Sequence, residues 1–365
     1  MKRSFYKRLT VWVCLILIIF LFSSVNNFCQ DEYGSISGKI TDTSTNEGLP
    51  NVNIYFSRTT LGTSSDYNGM YNIKNLPVGE YTLVVSMIGY ETKIKKIEII
   101  NNSTLTENIF LKPKAIELDE IEIIGDKSLY ENYLSEQNRY REIFKKYFLG
   151  HTKFSEQCII QNENKIKFEK TSPGIIEAKC SEPIVVINTA LGYKVDCVLK
   201  SFSCDYIMGR VQMLFYPKFT EMESPNEDQI QHWKENREKA YLSSLHRFLL
   251  SVINNDIQQH NYGLNLTTDN FNVNNIPRAK VLFGSENIAK VDSVTNQITL
   301  SFNGYLLVHN NRTEETSWLY LPFGESKLEQ DGYVENPLTL TVYNSFAKQG
   351  IADLLPDNLQ FDDSY

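Results

Sequence analysis

The chain has 365 residues, with 36 basic against 44 acidic side chains and a formal net charge of −8. That length admits two domains, and a composition that is 42% hydrophobic and 22% charged is globular rather than disordered. The acidic balance lacks the basic footprint of a general nucleic-acid binder, so nucleic acid is excluded as a partner.

Lys2, Arg3, Lys7 and Arg8 precede Val11–Phe22, an apolar run of 12 residues, and a polar stretch leads on to Cys29. This is the order of a secretory signal peptide, placed at residues 1–29. The run is shorter than the ~17–25 residues of a spanning helix. An uncleaved N-terminal anchor is the alternative. Acylation of Cys29 is disfavoured, because Asn27-Phe28 stands where small residues would be expected. No later stretch is long and apolar enough to span a membrane as a helix, so the exported body is expected to be soluble, with peripheral membrane association left open. Export permits disulfides. Cys158, Cys180, Cys197 and Cys204 allow three pairings, and buried free thiols are the other reading. Their spacing is not that of a zinc ribbon.

Residues 33–113 predict a small β-sandwich of about seven short strands separated by turn chemistry. Ser35–Ile40 alternates polar and apolar residues, as does Val52–Phe56. Asp66-Tyr67-Asn68-Gly69 is a tight turn before the strand Met70–Ile73. Leu76-Pro77-Val78-Gly79 is a second turn, followed by the strongly β-prone Tyr81–Met87. Thr92–Ile100 and Leu105–Leu111 complete the set.

Five motifs stand in order: Gly38-Lys39-Ile40-Thr41-Asp42, Gly48-Leu49-Pro50-Asn51-Val52, Asp66–Tyr71, Leu76–Tyr81 and Gly89-Tyr90-Glu91. The series resembles the carboxypeptidase regulatory-like domain, a transthyretin-like β-sandwich found in exported proteins of Bacteroidetes, TonB-dependent outer-membrane receptors among them. The resemblance implies an accessory folding or docking module that carries no zinc and cleaves nothing. It also implies residence in the periplasm or at the outer membrane.

Residues 114–127 read as a linker or an extra strand. Ile116, Leu118, Ile121 and Ile123 alternate with acidic residues up to Gly125. The segment is similar to the TonB-contacting stretch that follows this module in receptors, which makes these four residues interaction candidates. No plug signature follows, and about 240 further residues cannot supply a large receptor barrel. A receptor is therefore not expected.

Residues 128–365 predict an α+β domain, a mostly antiparallel sheet with two principal helices. Leu129, Tyr133, Ile143, Phe144, Tyr147 and Phe148 give the first helix, 128–148, one apolar face, and Gly150 stops it. A second, longer helix opens at Ser224-Pro225 and runs to Ile253, with Ile230, Trp233, Tyr241, Leu245, Phe248, Leu249 and Val252 on one stripe. The stretch resembles the C-terminal portion of exported carboxypeptidase-like regulatory-domain proteins of Bacteroidetes. The residues that carry this are Phe148-Leu149-Gly150, Cys158, Ile187-Asn188, Leu191-Gly192-Tyr193, Trp233, Asn236-Arg237, Ala240-Tyr241 and His246–Leu249. Ser243-Ser244 stands where Gly-Ser is expected, and Arg247 interrupts an expected His-Phe.

Catalytic patterns are weak. His232 and Glu235 form an H-x-x-E pair on a helix, with His260 or His309 as a conceivable third metal ligand, but one such pair is close to chance expectation in a chain of this composition. His232 and His246 would lie along one side of a continuous helix. Arg237 and Arg247 can pair with sheet carboxylates or bind a ligand anion, the structural role being favoured. No nucleophile elbow, P-loop or dinucleotide fingerprint occurs. Scattered Tyr and Phe can form a core or a carbohydrate-stacking surface. Asp292-Ser293-Val294 resembles a short O-glycosylation acceptor. The expectation is a noncatalytic binding or scaffold protein of the cell envelope, with no cofactor and no metal. Trp233, Arg237, Tyr241 and His246 are its interaction candidates in the second domain. The partner would be an envelope protein or a surface ligand, a TonB-dependent receptor being one case. The alternatives are an accessory component of TonB-dependent uptake and, last, a metal-dependent hydrolase.

Overall fold

The computed structural model describes residues 32–114, 127–267, 280–282 and 284–361. The expected signal segment, residues 1–29, lies outside them, as do Ile116, Leu118, Ile121 and Ile123. Among the described residues no helix is long and apolar enough to cross a membrane.

The first region is a sandwich of two sheets. One contains β1 (Tyr33–Asp42), β4 (Met70–Pro77), β7 (Thr104–Thr106) and β8 (Ile109–Leu111); the other runs β3 (Gly62–Ser64), β2 (Asn53–Phe56), β5 (Gly79–Ser86), β6 (Lys93–Ile99). β1 pairs antiparallel with β4 and parallel with β7 and β8. Alternate residues of these strands face inward, so Ile36, Ile40, Ile54, Phe56, Leu83 and Val85 share one apolar core. The Asp66–Gly69 turn forms as expected. Gly69 has φ +79°, and the Asp66 carboxylate accepts from the amides of Asn68 and Met70 at 2.8 Å each. The short β3 is a strand that the sequence pattern did not show, and the expected strand Leu105–Leu111 is two, β7 and β8.

The second region begins with helix α1 (Lys127–Leu149). Tyr140, Phe144 and Phe148, spaced four apart, are its buried stripe, while Tyr133 is exposed rather than part of that face. They pack on a six-stranded sheet made of β9 (Cys158–Ile160), β10 (Ile166–Ser172), β11 (Ile175–Cys180), β12 (Ile184–Asn188), β13 (Tyr193–Asp205) and β14 (Arg210–Glu221). Its recorded pairings are antiparallel.

The expected long helix from Ser224-Pro225 to Ile253 is two helices, α2 (Glu227–Leu242) and α3 (Leu245–Ile253). Asn226 caps α2, accepting from the amides of Asp228 and Gln229. The break falls at Ser243-Ser244, where the Ser244 hydroxyl accepts from the Arg247 amide and restarts the helix. Among its described residues the region thus has three α-helices, not two, and α1 is the longest of them. The break also removes the argument that His232 and His246 lie along one side of a single helix.

α3 contributes Phe248, Leu249 and Val252 to a separate apolar cluster. This cluster lies against a five-stranded sheet, order β16 (Lys280–Leu282), β15 (Tyr262–Thr267), β19 (Tyr305–Asn310), β20 (Glu315–Tyr320), β22 (Thr341–Asn344). A three-stranded sheet of β17 (Ala289–Val291), β18 (Ile298–Ser301) and β21 (Glu325–Leu328) adjoins it. The molecule is mainly β, with an antiparallel α+β region after the sandwich, as the pattern predicts. That region holds several sheets rather than one.

Candidate ligand-binding site

Three features surround α2 and α3: an internal joint, a clamp onto the sandwich, and a cavity. The joint uses one face of α2. Trp233 Nε1 donates to the Thr189 carbonyl at 2.8 Å, and Asn236 Nδ2 donates to that of Ala190 at 2.9 Å. Arg237 donates to Leu191 through Nε at 2.8 Å and to Gly192 through Nη2 at 3.3 Å. Residues at i, i+3 and i+4 share a helix face, so α2 reads four successive carbonyls of the β12–β13 turn. Gly192 is required there: its φ is +70°, and a Cβ would lie 2.3 Å from the Trp233 ring. The Arg237 guanidinium also covers Tyr193, 4.0 Å from the ring centroid, and meets Glu221 at 3.0 Å.

The clamp is built by Arg58, in the β2–β3 turn with φ +65°. Its amide donates to Pro217 of β14 at 2.7 Å, and its carbonyl accepts from the Asp357 amide at 2.7 Å. Its guanidinium bonds the Asp357 carboxylate at 3.0 Å and the Asp331 carboxylate, and lies 3.7 Å over the Tyr333 ring. Tyr333 donates to Asp357 at 2.8 Å, and the His246 and Tyr333 rings stack with centroids 4.4 Å apart. His246 Nε2 lies 2.7 Å from the Asp331 carbonyl, so that nitrogen carries the proton. Burial pushes the Asp357 carboxyl up from its ordinary range, and Arg58 is the strongest opposing influence. Tyr55, Val84 and Val198 form a small apolar cluster beside the clamp.

The cavity, about 610 Å³, is bounded in part by α2 and α3. α2 lines it with Lys234, Arg237, Glu238 and Tyr241, and α3 with Arg247. Asp256 and His260 follow from the turn after α3, Arg312 from the β19–β20 turn, and Leu359–Phe361 close one wall. Phe361 stacks on Tyr241 with ring centroids 4.2 Å apart. Arg247 is 2% exposed. Its Nη2 sits 2.9 Å from His260 Nδ1, and His260 Nε2 sits 3.2 Å from the Asp256 carboxylate. A guanidinium only donates, so Nδ1 accepts and the His260 proton is on Nε2, facing Asp256. Both ring nitrogens are therefore committed.

Of the four interaction candidates in this region, Arg237 and Tyr241 line the cavity together. Trp233 is spent on the internal joint and His246 on the clamp. Arg237, though it borders the cavity, is held by the β12–β13 turn and Glu221, the structural role favoured from sequence. Arg247 takes neither a sheet carboxylate nor a place on the surface. Asp256, Arg312 and Arg58 were missed. Asp256 and His260 stand four apart in sequence, the one local signal; Arg312 and Arg58 sit in turns whose meeting points only the fold sets.

The hydrolase pair does not assemble. His232 Nε2 meets Asn236 Nδ2 at 3.1 Å, while Glu235 accepts from Gln231 at 3.2 Å. Among the described residues no group of three His, Cys, Asp or Glu is placed to hold a metal ion. The disulfide raised as an alternative is not formed: Cys158, Cys180, Cys197 and Cys204 are free thiols. Cys197 and Cys204 sit on one strand, seven residues apart, too far to bridge. Burial pushes the Cys158 thiol up to about 12 and that of Cys204 to about 11, so these act as small apolar groups.

The first region is a β-sandwich of two sheets fixed beside a larger α+β body. Residues 36–123 match the CarboxypepD_reg-like domain family. The chain is similar to two proteins of Formosa agariphila, TonB-dependent receptor P39 (34% identical over 131 residues) and TonB-dependent receptor P3 (30% over 110 residues). The matches cover 34% and 30% of this chain but only 12% and 10% of those receptors. Among solved structures, the minor pilin of Streptococcus agalactiae aligns at 17% identity with a TM-score of 0.20, covering 24% of this chain and 47% of the pilin.

Proposed function

We propose that this chain is an exported, noncatalytic binding protein of the cell envelope, resident in the periplasm or at the outer membrane. In this reading the CarboxypepD_reg-like sandwich is a fixed support and the α+β region carries the ligand cavity. The observation that carries it is the Arg58 clamp. A module tethered only by a linker would move independently, whereas this one is bound through side chain and backbone to β14 and to the C-terminal segment. The commitment of both His260 nitrogens supports binding over proton transfer, because a general base needs a nitrogen free to face its substrate. The domain organisation that goes with this is a leader at 1–29, the sandwich at 33–113, a connector at 114–127 and the α+β region at 128–365.

The test is in-cell crosslinking of tagged protein in its native host, followed by membrane fractionation and mass spectrometry. Recovery with the envelope fraction and a stoichiometric envelope partner is expected. Recovery in the cytoplasm would overturn the reading.

Coupling to TonB-dependent uptake is the second reading, supported by the similarity to the two Formosa receptors and by the alternating segment 116–125. Deleting that segment should then abolish capture of a receptor or of TonB, and unchanged capture would remove this reading.

A further inference from the structure

We propose that the cavity bounded by α2, α3 and the C-terminal segment binds a small hydroxylated organic anion, its carboxylate or phosphate held by Arg247. This deepens the binding-protein reading and rests on it. The cavity volume, about 610 Å³, is in the range of small-molecule sites.

Two buried polar atoms of its lining have no hydrogen-bond partner, Arg247 Nε and Asp256 Oδ1. A buried group of this kind is costly unless something pairs with it. Arg247 is nine-tenths and more buried, and its recorded partners are neutral: His260 and the Tyr262 hydroxyl. Arg58, by contrast, is met by two carboxylates. An unneutralised buried guanidinium calls for an anion, and the fork geometry suits a carboxylate or phosphate.

Lys234 and Arg312 are exposed at the rim, so the lining carries an excess of cations in a chain of net charge −8. They would draw an anion toward the site. The free Asp256 oxygen accepts only, so the ligand must also offer a donor, which hydroxyl groups provide. The stacked Tyr241 and Phe361 rings form an apolar wall for the rest of the molecule.

Isothermal titration with D-glucuronate, D-glucose 6-phosphate, D-glucose and inorganic phosphate tests this on the exported chain. At least one charged sugar should bind saturably and D-glucose should not; which of the two binds separates carboxylate from phosphate. Arg247→Met should abolish binding. The rim double variant Lys234→Gln/Arg312→Gln, which touches no buried group, should weaken it tenfold or more, and decides the matter if the Arg247 variant does not fold. Failure of both charged sugars at millimolar concentration overturns the proposal, as does equal affinity in the rim variant. Inorganic phosphate binding as tightly as the sugars would show a bare-anion site and overturn the organic part. Turnover of a bound probe, followed by NMR, would instead sink the noncatalytic reading while leaving the site in place.

Discussion

Arg58 and Arg247 are both drawn back from solvent, one in the β2–β3 turn and the other on α3, and their surroundings differ in kind. Around Arg58 the charge is matched: Asp331 and Asp357 accept from it, and Tyr333 lies beneath it. Around Arg247 the immediate partners are a neutral imidazole, a carbonyl and a hydroxyl, and Nε is left without a partner. The first arrangement pairs the guanidinium with carboxylates and joins two parts of the chain, although Asp331 Oδ1 is itself without a partner. The second is incomplete and opens on a cavity. A matched charge serves stability and geometry, and an unmatched one is held ready for something that arrives.

The largest effect that can break this contrast is loss of the internal joint. Trp233→Ala should cost about 3–5 kcal/mol, as truncation of a buried aromatic does. Hydrogen exchange should then show lost protection in α2 and the β12–β13 turn, with the sandwich retained. Equal loss in the sandwich would mean that clamp and cavity belong to one cooperative unit.

Asp353 sharpens the comparison, because it is a buried carboxyl without a cation. It accepts from the Gly350 amide at 3.0 Å, and burial pushes it up to about 6 from the usual 3.8. The folded chain therefore holds this proton more tightly than the unfolded chain. Its contribution to stability is complete below about pH 4 and is lost as pH rises through about 6. Asp353→Asn keeps the acceptor and removes the charge, so it should raise stability by about 2 kcal/mol near pH 7.5 and change little near pH 4. Urea unfolding at the two pH values measures this, and a loss at the higher pH would contradict it.

Phe361→Ala is the smallest change. It removes the stack on Tyr241 and should cost no more than about 1 kcal/mol. Its main readout is weaker binding of the anionic probe, with unfolding by urea nearly unchanged.

The sandwich was legible because its strands alternate and a turn such as Asp66–Gly69 is written in single residues; Leu76-Pro77, expected in a turn, instead ends β4, with only Val78 before β5. α1 was legible in extent but not in its whole face, since Tyr140 sits among polar neighbours and only the sheet beneath it makes it core. The α2–α3 break was signalled by Ser243-Ser244, yet the apolar stripe ran across it and carried the reading of one helix. The cavity was not legible. Its walls come from two helices, a hairpin turn and the C-terminal segment, and nothing local to Arg247, Asp256 or Arg312 records that the fold brings them together. Trp233 and Arg237 stood out in the sequence for a different reason, as the residues that hold α2 on the β12–β13 turn.

The most direct test of the account is the unfolding free energy of two parallel variants, Arg58→Met and Arg247→Met, each against the parent chain in urea. Removing Arg58 leaves Asp331 and Asp357 without their cation and should cost about 2–3 kcal/mol. Removing Arg247 takes away a charge that no carboxylate balances, and stability should stay within about 1 kcal/mol of the parent or rise. Equal losses, or a larger loss at Arg247, would mean that both arginines are structural and would contradict the distinction between a charge-paired clamp and an open site.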